Sequence, residues 1–127
     1  MAFNTSNFSV SLEKKGLNVF LNGAESDIID FLWKGQGAFV KQVHHALEKK
    51  HGLSHVTVCI YLDRLYEKGL VDRKPLSGKG GLKYWYYPKI SREEFGKRLS
   101  ARIAAALRDA FGAATATYFT KEARKRD

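Results

Sequence analysis

The residues best equipped for chemistry lie between Ser54 and Lys83, and the chemistry they suit is binding, not bond breaking. Ser54, His55, Val56, Thr57, Ile60, Tyr61 and Arg64 fall within one short stretch, the first of them on the opening turns of an expected helix. A helix laid in a DNA major groove reads base edges with side chains near its N-terminal end. Val56 and Thr57 suit thymine methyls, and His55 can donate to a base or a phosphate. Ser54 and Arg64 are placed for phosphates. An ordinary solvated helix face is the alternative.

The residues that follow add charge. From Lys68 to Lys89 there are six basic residues (Lys68, Arg73, Lys74, Lys79, Lys83 and Lys89) against the single acid Asp72. On a hairpin with a glycine tip, Arg73, Lys74, Lys79 and Lys83 can follow a nucleic-acid backbone, giving affinity without sequence information. The formal net charge of the whole chain, +9, also suits a polyanionic partner. Solubility charge is the plainer reading of that number. The run Tyr84-Trp85-Tyr86-Tyr87 invites base stacking on single strands, but alternation assigns Tyr84 and Tyr86 to packing on helices.

Other chemistries fit less well. His51, His55 and Cys59 recur at four-residue intervals and combine imidazole with thiol, a zinc-like set. Gly52 and Leu53 break the helix between the first two, however, and the adjacent His44 and His45 point apart. No metal site is therefore expected, and no cofactor. Ser77 to Gly81 lacks the spacing of a phosphate-cradling loop and precedes a strand instead of a helix. No Ser–His–acid or Cys–His set carries a local signature, so no catalytic residue is assigned.

The elements that must position these side chains follow from periodicity. Phe8, Val10 and Leu12, then Leu17, Val19 and Leu21, alternate around Lys14-Lys15-Gly16 and predict an N-terminal β-hairpin. Ile28, Ile29, Leu32 and Trp33 lie at helical spacing, with Glu25 and Asp27 in the first turn, where the helix dipole favours acids. Val40, Val43, Ala46 and Leu47 form the apolar face of a second helix closing at Gly52. Ser54 caps a third, running to about Lys68 with Val58, Leu62 and Leu65 buried. Leu70 to Leu76 and Leu82 to Tyr87 flank the glycine-rich turn of a second hairpin that Pro88 ends. Helix, turn, helix, then a basic hairpin is the order of a winged helix.

Ser91 and Glu94 form a capping box for a further helix. Its stripe of Phe95, Leu99, Ile103, Leu107 and Phe111 needs a cover. Packing back on the same chain would supply one. The same helix of a second copy is the better candidate, because helix-turn-helix proteins usually read two half-sites as dimers. Gly112 ends this helix, Ala113 to Phe119 makes a short one, and Lys121 to Asp127 reads as a polar, frayed tail.

The expected fold is α+β: an N-terminal β-hairpin extension (1–22), a winged helix-turn-helix DNA-binding domain (23–90), a C-terminal helical dimerisation segment (91–120) and a polar tail (121–127). One cysteine, Cys59, cannot form an internal disulfide and suits a reducing compartment. No signal-like start and no run of about 20 apolar residues is present, so a cytoplasmic protein without membrane contact is expected.

Between about Leu21 and Phe111 the sequence resembles the penicillinase-repressor and methicillin-resistance-regulator (BlaI/MecI-type) family of winged-helix repressors. The matching residues are Ala24-Glu25, Ile28-Ile29, Leu32-Trp33, Val40 to Val43 with Leu47, and Thr57-Val58. They continue through Leu62, Arg64-Leu65, Lys68 to Val71 and Arg73, then Tyr84, Tyr86, Pro88 and Ser91 to Phe95. The resemblance implies a homodimer, held by C-terminal helices, that represses genes beside palindromic double-stranded operators. Ile60 departs from it, standing where the family favours a polar residue, which implies a different operator preference. The C-terminal helical region lacks the Asn-Phe pair beside which some members are cleaved and inactivated, and the chain lacks the paired cysteines of copper-responsive ones. A winged helix used for protein docking or for compacting chromatin, without a specific operator, is the rival reading.

Overall fold

The computed structural model describes residues 9–125. The chain divides into two compact units, the second beginning at Arg92. The first is built from helices α1 (Gly23–Gly35), α2 (Val40–His51) and α3 (His55–Glu67), with strands β1 (Ala38–Phe39), β2 (Val71–Gly78) and β3 (Gly81–Pro88). The strands form one antiparallel sheet in the order β1-β3-β2. This is a winged helix-turn-helix of α+β class, as the sequence predicts.

Each helix starts and stops for a visible reason. Asn22 caps α1 by accepting the Glu25 amide at 2.7 Å, and Glu25 Oε1 accepts the Asn22 amide at 3.4 Å, a reciprocal capping box. The Phe39 amide donates to Gln42 Oε1 at 2.8 Å as α2 begins. Gly52, at φ 60°, ends α2 in the left-handed conformation, which costs a glycine little. The core gathers Ile28, Ile29 and Leu32 from α1, Val43 and Leu47 from α2, and Val58, Leu62 and Leu65 from α3. Leu70, Val71 and Tyr86 close it from the sheet side. Burying each large aliphatic side chain contributes roughly 1.5–3 kcal/mol, so the three-helix arrangement rests on this cluster.

Among the described residues Glu25 is the charged residue buried in that unit, 3% exposed. Its Oε2 accepts from Lys68 Nζ at 3.0 Å, and the pairing offsets the desolvation of its charge. Trp33 Nε1 donates to Ile90 O at 3.0 Å, tying the end of α1 to the chain leaving the sheet.

The N-terminal hairpin is not formed among the described residues; Phe8 lies outside them. Gly16–Val19 is instead a 3-10 turn. Val10 and Leu12 are 50% and 84% exposed, so the first arm has no face to bury. The amides of Phe20 and Leu21 both bond Leu17 O, at 3.0 and 2.9 Å, which turns Leu17, Phe20 and Leu21 to helical spacing. One bond crosses the arms, from Ser11 N to Val19 O at 2.8 Å. Ala46, expected on the buried face of α2, is exposed.

The second unit holds α4 (Arg92–Phe111) and α5 (Ala113–Lys125), separated at Gly112. The short last helix and frayed tail expected from polarity form one helix through Lys125. Ion pairing from Lys125 to Glu122 at 3.2 Å supports its last turn, as do bonds from Thr117 and Thr120 hydroxyls to the carbonyls of Ala113 and Ala116, both at 3.2 Å.

Candidate nucleic-acid interface

The turn between α2 and α3 is fixed from both sides. His44 Nε2 lies 3.0 Å from Leu53 O; a carbonyl only accepts, so this nitrogen carries the proton. Ser54 Oγ accepts the Thr57 amide at 3.1 Å and lies 3.0 Å from Thr57 Oγ1, an N-cap that commits the Ser54 hydroxyl to the helix start. With Val58, Leu62 and Leu65 at 0% exposure, the rotation of α3 is set by its core stripe.

The opposite face of α3 is open. His55, Val56, Ile60 and Arg64 are exposed, and Thr57 and Tyr61 are half-buried. Val56 and Ile60, one turn apart, are 67% and 46% exposed, an apolar pair where a merely solvated helix would carry charge. The Arg64 guanidinium lies 5.3 Å from the Tyr61 ring centre. His55 Nδ1 and Cys59 Sγ are 3.9 Å apart, and burial, with Asp63 nearby, pushes the Cys59 thiol up. His51 faces elsewhere, bonding Asp27 Oδ2 at 2.7 Å, so the histidine–cysteine series found in the sequence does not converge. Among the described residues no three His, Cys, Asp or Glu side chains are grouped to hold a metal ion.

Strand register sorts the wing residues. Opposed positions share a face in an antiparallel pair, so the pairs Lys74↔Trp85 and Leu76↔Lys83 put Lys74 and Lys83 on one side. Arg73↔Tyr86 and Pro75↔Tyr84 occupy the other, and Lys79 stands in the turn. Tyr86 is buried as expected, whereas Tyr84 is 40% exposed, because the sheet has left the helices by that point.

The six basic residues of this region have different employment. Lys68 is committed to Glu25. Arg73 bonds Asp63 on α3 at 2.9 Å, and its guanidinium rests 4.3 Å from the Tyr66 ring centre and 4.8 Å from that of Tyr84. A hydrogen bond with Tyr86 raises the Arg73 pKa further above an already high value. Lys74, Lys79, Lys83 and Lys89 are exposed and make no ion pair with described residues. Asp63, an acid on the exposed side of α3, was not singled out by the sequence; its spacing from Arg64 and Tyr66 carries no signal that it pairs across to β2.

The expected dimer residues are distributed unevenly. Phe95 and Leu99 are 1% and 7% exposed, and Phe111 is 71% exposed; Ile103 and Leu107 are half-buried.

The family model of the penicillinase repressor matches residues 21–126. The chain belongs to the penicillinase repressor family. Membership places this family member among DNA-binding transcriptional repressors, a class of regulators and not of enzymes. The match begins at Leu21, so the 3-10 turn and what precedes it lie outside the shared region. Among solved structures, the DNA-binding domain of the repressor BlaI aligns at 24% identity with a TM-score of 0.48, covering 58% of this chain and 85% of that one. A structure of HOP2, described for its DNA recognition and protein interaction domains, aligns at 28% identity with a TM-score of 0.44, covering 52% and 98%. A comparison with curated proteins returns no match. No helix among the described residues is long and apolar enough to cross a membrane.

Proposed function

We propose that this penicillinase repressor family member is a homodimer that recognises a palindromic operator in double-stranded DNA and represses the adjoining genes. The observation that carries the proposal is the open face of α3, with His55, Val56, Thr57, Ile60, Tyr61 and Arg64, in the same unit as a wing whose Lys74, Lys79 and Lys83 stand exposed and uncompensated. In this reading α3 enters the major groove and the wing lysines follow the backbone. Ser54 helps through the helix start it caps. The homodimer is supported by α4, where Ile103 and Leu107 are only half covered and Phe111 is exposed. The interface therefore rests on these three, since Phe95 and Leu99 are already buried.

Titration against duplex DNA, single-stranded DNA and RNA at several salt concentrations tests the binding. If a dimer neutralises about 4–8 phosphates, log affinity for duplex falls with log salt at a slope of about −4 to −7. Equal affinity for all three polymers, or a flat salt response, refutes it. Selection from a randomised duplex library separates operator recognition from compaction. A palindromic consensus is expected, and Thr57→Ala or Tyr61→Ala should change it; no enrichment would favour an architectural role.

A further inference from the structure

Asp63 is out of place on a helix face meant for a polyanion, since an unpaired carboxylate there would repel phosphate. It is not unpaired. Arg73 Nη1 reaches Asp63 Oδ1 at 2.9 Å and the Tyr86 hydroxyl oxygen at 3.4 Å. The Tyr86 hydroxyl in turn donates to Asp63 Oδ1 at 3.1 Å. The rings of Tyr66 and Tyr84 pack on the same guanidinium, 4.3 and 4.8 Å from its central carbon. Asp63 and Tyr66 belong to α3, Arg73 to β2, and Tyr84 and Tyr86 to β3, so one side chain joins the helix to both strands of the wing.

We propose that Arg73 is a positioning residue: it sets the angle of the wing against α3 and does not itself contact phosphate. The inference rests on the duplex-binding reading above and assigns a role within it. Arg73↔Tyr86 is the last register pair that contains a buried side chain, Tyr86 being 3% exposed. One pair further out Trp85 is half-buried and still paired with β1, and from Lys74 round to Tyr84 every residue is exposed. A two-stranded ribbon without a core has little stiffness of its own, so its direction is decided at this junction. To reach a phosphate, the guanidinium would have to abandon a carboxylate, a hydroxyl and two aromatic faces. Left in place, it neutralises Asp63 and holds Lys79 and Lys83 at a fixed offset from the base-reading side chains.

The test uses the full chain and a fluorescein-labelled mixed-sequence duplex, with affinity measured as a function of salt. Lys79→Ala, a true phosphate contact in this scheme, removes one contact from each protomer and should reduce the salt slope of the dimer by about 2. Arg73→Ala should weaken binding by roughly tenfold and lower the slope through the wing lysines it misaligns, so that adding Lys79→Ala lowers the slope no further, whereas two independent phosphate contacts would lower it additively. Asp63→Asn gives the sharpest sign. Removing an acid beside DNA tightens binding on electrostatic grounds alone, but here it should weaken binding about fivefold, because the clamp loses its anchor. Tyr86→Phe, which keeps the ring in the core, should act in the same direction and carries the test if Arg73→Ala misfolds. The factor lost through Lys79→Ala should shrink to under about twofold in an Arg73→Ala background, a coupling that general loss of stability does not produce. A slope that falls further when Lys79→Ala is added to Arg73→Ala, tighter binding by Asp63→Asn, or fully multiplicative losses would each overturn the inference alone. A wild-type chain that ignores duplex DNA removes the duplex-binding reading, and the inference with it.

Discussion

Gly37 offers the most direct check on how the wing strand is seated. It lies between α1 and β1 at φ 134°, a conformation that side chains rarely adopt. A Cβ built there would come within 2.6 Å of Trp85 Nε1, 2.8 Å of Cε2 and 2.9 Å of Cζ2. Ordinary carbon contacts are about 3.5–4.0 Å, so the indole would have to retreat by roughly 1 Å. It has little room to do so, because the Phe39 ring meets it edge-on at 4.9 Å and β3 is held on both sides. Overpacking of this kind costs about 1–3 kcal/mol, and the unfavourable φ adds about 1 kcal/mol. Gly37→Ala should therefore destabilise the chain by about 2–4 kcal/mol, a fall in Tm of roughly 10–20 °C for a unit of this size.

Thermal unfolding by circular dichroism, followed in parallel by tryptophan fluorescence, measures this. Gly35→Ala is the matched control: nothing lies within 4 Å of its added Cβ and its φ is not positive, so it should be neutral or slightly stabilising. In a Trp85→Leu background, Gly37→Ala should retain only the backbone part of its cost. A Gly37→Ala variant melting within about 2 °C of wild type, or a cost indifferent to Trp85, would refute the steric account.

Three further outcomes are expected. Lys68→Met leaves the Glu25 carboxylate buried without its cation and should cost about 3 kcal/mol in chemical denaturation, whereas the Lys68→Met/Glu25→Gln double variant should recover part of that loss. The Asp27 carboxyl is held below its ordinary value of 3.8 chiefly by its hydrogen bond with Lys50, with His51 contributing. A carboxyl lowered on folding stabilises above its unfolded value and loses that contribution as pH falls through the lower folded one, so Asp27→Asn should be the less stable protein at pH 6 and should flatten the decline below about pH 4 in an acid titration. Ile103→Asp with Leu107→Asp would place charges in the proposed dimer interface; sedimentation should show a monomer with an intact circular dichroism spectrum and much weaker duplex binding, as two linked half-site contacts become independent.

Much of the fold was legible in the sequence because it is written in strong periodic signals. The stripe of Val58, Leu62 and Leu65, the cap at Ser54 and the stop at Gly52 locate α3 to within a residue. The capping box at Asn22 was also present, as an Asn followed three residues later by Glu, but Asn22-Gly23 reads equally as a turn. The two-residue strand β1 was not legible at all. Ala38-Phe39 carries no alternation, and it becomes a strand only because β3 offers Tyr86 and Trp85 as partners. The misread hairpin has the opposite cause. Alternation from Phe8 to Leu21 is real, yet alternation makes a strand only where one face is buried, and Leu12 at 84% exposure has nothing to bury against.

The candidate site was harder to read than the fold, and charge shows why. A sequence counts Lys68, Arg73, Lys74 and Lys79 as equivalent positive charges on one hairpin. Folding separates them by what each can reach. Lys68, at the end of α3, lies against the buried carboxylate of Glu25, forty-three positions earlier in the chain. Arg73 lies against Asp63 from a strand whose register was not fixed until β3 paired with it. Both partners are acids that sequence proximity does not join to their cations, so neither pairing leaves a local trace. The lysines left over on the ribbon, Lys74, Lys79 and Lys83, all lie beyond the last buried register pair, where no acid of the same unit is paired with them. Position along the ribbon, rather than basic character, thus decides which charges remain free for a polyanion, and that position is a property of the sheet.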